Sequence, residues 1–153
     1  MPPVFVPWTR EHPECRGALA PALPSYVDVS ADLFAYWRML RKCWRAGSAF
    51  VLVEHDVMAF PDTIAELADC PQPWCAFAVW MGEGEIATLG CVRFGEAVVR
   101  DPFPAPEPVE WTGLDMAIEH GLTSRGWAKH VHRPALGHRN PGVVELDRRR
   151  GAI

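Results

Sequence analysis

The stretch FVLVEHDVMAF, residues 50–60, decides the fold. From Ala49 to Val53 every side chain is apolar, as in a central strand covered on both faces. The run then meets Glu54, His55 and Asp56. An ionised carboxylate is costly to bury without a partner, so this cluster must reach solvent, find hydrogen bonds or hold a cation. Along extended backbone alternate residues share a face, which sets Glu54 and Asp56 on one side and His55 on the other, out of the ligand set. Two carboxylates so placed suit Mg²⁺ or Mn²⁺, hard cations that keep several waters and are completed by substrate phosphates. The plainer reading of the same spacing is a solvated or capped turn.

Upstream, VFVPW (4–8) and SYVDVS (25–30) are β-type runs separated by a loop rich in Pro, Gly and Ala. Ser30 then caps a predicted helix with Asp32 in its first turn. Leu33, Trp37, Leu40 and Trp44 form its apolar face, and Gly47 ends it. A tryptophan stripe at helical spacing predicts core packing on a sheet. Downstream, FPDTIAELADC reads as a short helix with Pro61 near its first position. PWCAFAVW (73–80) reads as a buried strand, MGEGE (81–85) as a flexible loop, and TLGCVRF (88–94) as a further strand. The connector RDPFPAPEPVE (100–110) is too Pro-rich for a helix or central strand, and it is placed to order over a site. A last helix opens at Thr112 with Leu114, Ile118 and Leu122 inward, and KHVHRPALGH (129–138) follows in extended form.

Strands alternating with helices predict an α/β fold: a mostly parallel sheet flanked by helices, open to an antiparallel edge. Ligands of such sheets gather beyond the carboxyl ends of the strands, where Glu54 and Asp56 are expected. No internal repeat or linker divides the chain, which predicts one domain over residues 1–140 and a C-terminal tail over 141–153.

The chain has 153 residues, 49% hydrophobic and 22% charged, enough for its own core and unlike a disordered chain. A net charge of −4 argues against non-specific nucleic-acid binding, and the closing DRRR (147–150) reads as a solvated tail. The amino terminus lacks a basic, apolar leader, and no run of 18 apolar residues exists to span a membrane. A cytoplasmic location is therefore expected. Five cysteines, an odd number, fit reduced thiols. CPQPWC reads as two half-buried cysteines around a Pro-rich turn, since a structural zinc would need two further ligands.

His130 and His132 alternate on an extended segment, with His138 beyond them and His120 upstream. Three such histidines around an open position would make a zinc hydrolase; alternatively one joins Asp56 on a harder metal. TGLD resembles a capping box in which Asp115 supports the helix start. Trp111 before it suits an acceptor-facing aromatic, and Asp115 then suits a general base. The chain has no P-loop, no G-x-S-x-G elbow and no dinucleotide glycine motif.

Taken in order, the strand ending VEHD, the FPDTIAEL helix, the WCAFAV and LGCVRF strands, W-x-x-x-D opening a helix and a late H-x-H resemble a GT-A-type glycosyltransferase domain. The resemblance covers roughly residues 49–138. It implies a compact version with a minimal front half, because only 53 residues precede EHD. It implies Mn²⁺ or Mg²⁺ held by Asp56, with Glu54 toward the metal or ribose, on the diphosphate of a nucleotide-sugar donor. His132 is the first choice as a further metal ligand, with His130 or His138 next. Asp115 matches the base that accepts a proton from the acceptor, here unidentified. Arg93, inside CVRF, is a candidate to approach a phosphate, its plainer reading being an ordinary surface arginine. Trp111 would bind donor or acceptor. A short front half also fits an enzyme completed as a homo-oligomer. Two alternatives stand beside transfer: a non-catalytic module of the same fold serving binding or assembly, and the histidine-ligated hydrolase.

Overall fold

The structure, a computed structural model, describes residues 1–82 and 84–139. The tail expected at 141–153, with its DRRR run, lies outside the described residues. The strands are β1 (Val4–Trp8), β2 (Ser25–Asp28), β3 (Phe50–Val53), β4 (Val57–Met58), β5 (Trp74–Trp80), β6 (Glu85–Ile86), β7 (Cys91–Phe94) and β8 (His130–His138). The helices are α1 (Pro13–Leu19), α2 (Ala35–Arg45), α3 (Pro61–Asp69), α4 (Glu96–Val99) and α5 (Trp111–Thr123).

The strands form one sheet in the order β2-β1-β3-β7-β5-β8-β4, with β6 paired to β5. β1 pairs in parallel with β2 and β3, and β5 with β8. β7 lies antiparallel between β3 and β5, and β4 and β6 are antiparallel too. The sheet is therefore mixed, not mostly parallel. A parallel return needs a crossover of about a dozen residues or more, usually a helix. The chain instead turns back through the short segment that includes β6, so β7 runs against β5. β1, β2, β3, β5 and β8 nonetheless share one direction, and their carboxyl ends form one edge.

The uniformly apolar β3 is explained by its position. Phe50 and Leu52 enter a core cluster with Leu40, Trp44, Phe94, Leu114, Ile118 and Leu122, under α2 and α5. Val51 and Val53 enter the opposite cluster with Leu19, Ile64 and Leu67, under α1 and α3. All four strand residues are at most 1% exposed. Leu52→Ala is expected to cost about 2–5 kcal/mol in denaturant unfolding, the range for a buried leucine whose site cannot collapse.

α2 starts later than the sequence suggests. Ser30 bonds Asp28, and it is Asp32 that accepts the Phe34 amide, at 2.8 Å. Leu33, expected inward, is 60% exposed, whereas Trp37, Leu40 and Trp44 are buried. The two indoles also fix the Pro-rich connector: Trp37 Nε1 donates to the Ala105 carbonyl at 2.9 Å and Trp44 Nε1 to that of Asp101 at 2.8 Å. Trp127 Nε1 donates to the Asp101 carboxylate at 2.7 Å. A Cβ on Gly121 would overlap the Pro104 carbonyl, so α5 lies directly against this segment. The connector is thus a packed strap on α2 and α5. Gly121→Val should lower unfolding free energy by about 1–3 kcal/mol through overpacking, measured by denaturation.

Candidate functional site

β3 ends at Val53, and the Glu54 carbonyl accepts the Val57 N–H at 3.0 Å, closing a tight turn into β4. Strand alternation stops there. His55 accordingly stays in the cluster, contrary to the expectation from extended geometry. Its ring lies 5.2 Å from that of His12 and 6.3 Å from Trp111, and its Nδ1 is buried without a hydrogen-bond partner. Burial lowers the pKa of His55, chiefly against the pull of the Asp56 charge.

Around this turn stand carboxyls from two elements and a phenol from a third. Tyr36, fully buried on α2, donates to Glu54 Oε1 at 3.1 Å. Burial, then the charges of Asp115 and Asp56, pushes the Glu54 carboxyl up to about 8; the Tyr36 bond pulls the other way. Burial likewise raises Asp115, with a Thr88 hydrogen bond opposing it. Burial would raise Asp56 too, but His138 outweighs it, and the net shift is downward. His138 Nε2 lies 3.2 Å from Asp56 Oδ2, and the Arg139 amide donates to the Asp56 carbonyl at 2.7 Å. Asp56 is thus ionised at neutral pH while Glu54 is largely protonated.

Asp115 does not support a helix cap. α5 begins at Trp111 after Glu110, so Thr112 is already helical and cannot adopt the extended cap conformation. Asp115 sits one turn inside, directed to Thr88 and within the field of Glu54. Trp111 packs edge-on against Tyr36, ring centroids 5.8 Å apart, and forms part of the wall.

The remaining expected residues lie elsewhere. His132 and His138 are six residues apart on β8, on the order of 20 Å of strand. With His138 against Asp56, His132 cannot share a metal with that carboxylate, and His130, His132 and His138 do not form a three-histidine site. His132 instead meets Glu66 of α3. Arg93 faces the same region: its Nη1 donates to the carbonyls of Cys70 and Gln72 at 3.2 and 3.0 Å, which removes it from any phosphate at the carboxyl edge.

Sequence reasoning missed Tyr36, His12, Thr88 and Arg139. A tyrosine within an apolar helical face needs a hydroxyl partner, a signal present beside the tryptophan stripe. His12 precedes α1, which the Pro-Gly-Ala composition concealed as a loop; Pro13 at the first helical position with Glu14 in the first turn was its mark. A cleft of about 390 Å³ opens here, lined by His12, Pro13, Glu14, Cys15 and Arg139. The field of Asp56 reaches it, since burial and then the Asp56 charge raise the Cys15 thiol pKa. Arg10, Glu11 and Arg16 line a smaller adjoining groove with His12 and His55, Arg16 paired with Glu11 at 2.6 Å. A groove of about 440 Å³ between β2 and α2 is larger, but none of its lining residues belongs to the acidic cluster.

Glu54, Asp56 and Asp115 do not, among the described residues, bring ligand oxygens within 4.8 Å of one another. Their mutual repulsion is nevertheless what a cation would relieve. Mg²⁺ and Mn²⁺ need only one or two carboxylates when phosphates and water complete the shell, and Asp56 and Glu54 are oxygen donors of the chemical type such ions take.

The sequence matches no known family model and no curated protein. The fold, however, has solved counterparts. The A197 protein of STIV superposes with a TM-score of 0.63 at 12% identity, over 89% of this chain and 83% of its own. CMP:2-keto-3-deoxy-manno-octonic acid synthetase, solved with CTP, superposes at 0.52 and 12% identity, over 97% and 79%. A glycosyltransferase involved in glycosylating the major capsid of PBCV-1 gives 0.49 at 11% identity, over 97% and 100%, too loose a fit to carry weight. Among the described residues no helix is long and apolar enough to cross a membrane. The chain therefore shares its fold with the A197 protein and, more loosely, with the CMP:2-keto-3-deoxy-manno-octonic acid synthetase.

Proposed function

We propose that this chain is a metal-dependent glycosyltransferase, moving a sugar from a nucleoside-diphosphate donor to an acceptor hydroxyl. What supports it is that Glu54, Asp56 and Asp115 lie within one another's electrostatic field at the carboxyl edge of the sheet, beside a cleft lined by His12, Glu14 and Arg139. Asp56, held ionised by His138, anchors a Mn²⁺ or Mg²⁺ ion, with Glu54 as second carboxyl. A cation held there would supply Lewis-acid stabilisation of the charge that develops on the departing diphosphate. His12 and Arg139, the latter beside Glu14 at 3.6 Å, line the cleft toward the anionic donor. Trp111 and Tyr36 wall the reacting centre and exclude water. Asp115 accepts the acceptor hydroxyl proton; burial raises its basicity above that of an exposed aspartate. Acting as base, Asp115 implies inversion at the anomeric carbon.

The expected test result concerns Asp56. Asp56→Asn keeps the volume and the turn but removes the anionic ligand, and should weaken Mn²⁺ binding at least about tenfold, followed by water-proton relaxation. Unchanged Mn²⁺ affinity in a folded Asp56→Asn protein would remove Asp56 as the metal anchor.

A further inference from the structure

The opposite, amino edge of the sheet carries a second cluster, independent of the transfer reading. Cys70 caps the carboxyl end of α3, and His130 and His132 open β8. Parallel pairing sets Cys75 beside His130 and Phe77 beside His132, so the alternating imidazoles share the face covered by α3. One ligand atom from each of Cys70, His130 and His132 lies within 4.8 Å of the others.

His132 is the informative member. It is only 9% exposed, stacks on Phe77 with ring centroids 5.0 Å apart, and places Nδ1 2.7 Å from Glu66 Oε1. With the carboxylate accepting, the proton sits on Nδ1 and the lone pair on Nε2. That Nε2 is buried and has no hydrogen-bond partner. A buried imidazole oriented by a carboxylate, with its other nitrogen unsatisfied, is the arrangement of a metal-ligating histidine and its supporting acid. The turn bearing Cys70 is fixed as well, by the two Arg93 hydrogen bonds to Cys70 and Gln72. Cys75, a hydrogen-bonding neighbour of the Cys70 thiol, lies behind it with its sulfur 3.9 Å from the Leu67 carbonyl.

The geometry points to a zinc site formed by Cys70, His130 and His132, with Glu66 orienting His132 and solvent completing the fourth position beside exposed His130. One thiolate and two imidazoles select a borderline-soft ion, Zn²⁺ over Mg²⁺ or Mn²⁺. The sequence obscured this set because its sulfur and nitrogens come from segments about sixty residues apart, joined only by the β5–β8 pairing. The ion clamps the end of α3 to the start of β8, the strand whose far end brings His138 to Asp56. The acidic cluster and the zinc site thus occupy opposite edges.

Cobalt substitution tests it. Reduced, chelator-treated protein titrated with Co²⁺ is expected to show a thiolate-to-cobalt charge-transfer band and the intense visible bands of a four-coordinate ion. Cys70→Ser should abolish the charge-transfer band. Glu66→Gln alters only a half-exposed side chain. It should keep the bands while weakening Zn²⁺ binding about 10–100-fold, measured by competition with a chelating dye. Cys75→Ser and Asp56→Asn should keep both bands and affinity, which separates this site from the acidic one. A wild-type spectrum without charge transfer, a band that survives Cys70→Ser, or Zn²⁺ affinity unchanged by Glu66→Gln overturns the assignment.

Discussion

Asp115→Asn is expected to lower kcat for sugar transfer by about 10²–10⁴-fold, the usual contribution of a positioned general base. Donor affinity should barely change, because Asp115 lies on α5 and not among the residues lining the cleft. The amide retains a carbonyl that can accept the Thr88 hydrogen bond and removes a charge that burial disfavours, so the fold should persist. Measured turnover with saturating donor separates the outcomes. A kcat within tenfold of wild type would remove Asp115 as base and leave it as a structural partner of Thr88.

The second large effect is on stability. The Glu54 carboxyl titrates at about 8 in the folded chain and near 4.5 when unfolded. Between those values the folded state keeps a proton that the unfolded state releases, so stability falls as pH rises across the window. Below 4.5 both states are protonated and the contribution is complete; above 8 it is lost. Glutamine imitates the protonated form at every pH. Glu54→Gln should therefore match wild type near pH 4.5 and exceed it by roughly 3 kcal/mol at pH 8 and above, at about 1.4 kcal/mol for each pH unit, reduced for partial exposure. Urea denaturation at the two pH values checks this, and a variant destabilised equally at both would contradict the buried-acid picture. Bound Mn²⁺ favours the ionised carboxyl, so its affinity should rise with pH toward 8.

Much of this was legible in the sequence for physical reasons. The apolar run Phe50–Val53 can satisfy all its side chains only between two layers, and it does. Leu114, Ile118 and Leu122 follow a helical period and fill one face of the core. A turn was the plainer reading of Glu54–Val57, but its effect on His55 was not legible, since a single backbone hydrogen bond ends the alternation and returns His55 to the cluster. The sequence favours His132 over His138 as the partner of Asp56, and the structure places His138 there instead. Which one reaches Asp56 depends on β4 pairing with the far end of β8, Val57 opposite His138, a long-range contact with no local signature. The Asp115 cap failed by two residues: with Glu110 in place of Thr112 at the N-cap, Asp115 lies inside the helix, in the field of the acidic cluster. Arg93 shows the same limit, because its strand and spacing said nothing of the Cys70 turn that takes its hydrogen bonds.

The most direct measurement is calorimetric titration of the intact chain with UDP-, GDP- and CMP-sugars and with CTP, each with and without Mn²⁺. The account predicts that at least one nucleoside-diphosphate sugar binds only when Mn²⁺ is present, and that Asp56→Asn abolishes the metal-dependent heat. Binding of no nucleotide sugar under either condition, or binding indifferent to both Mn²⁺ and Asp56, would contradict it.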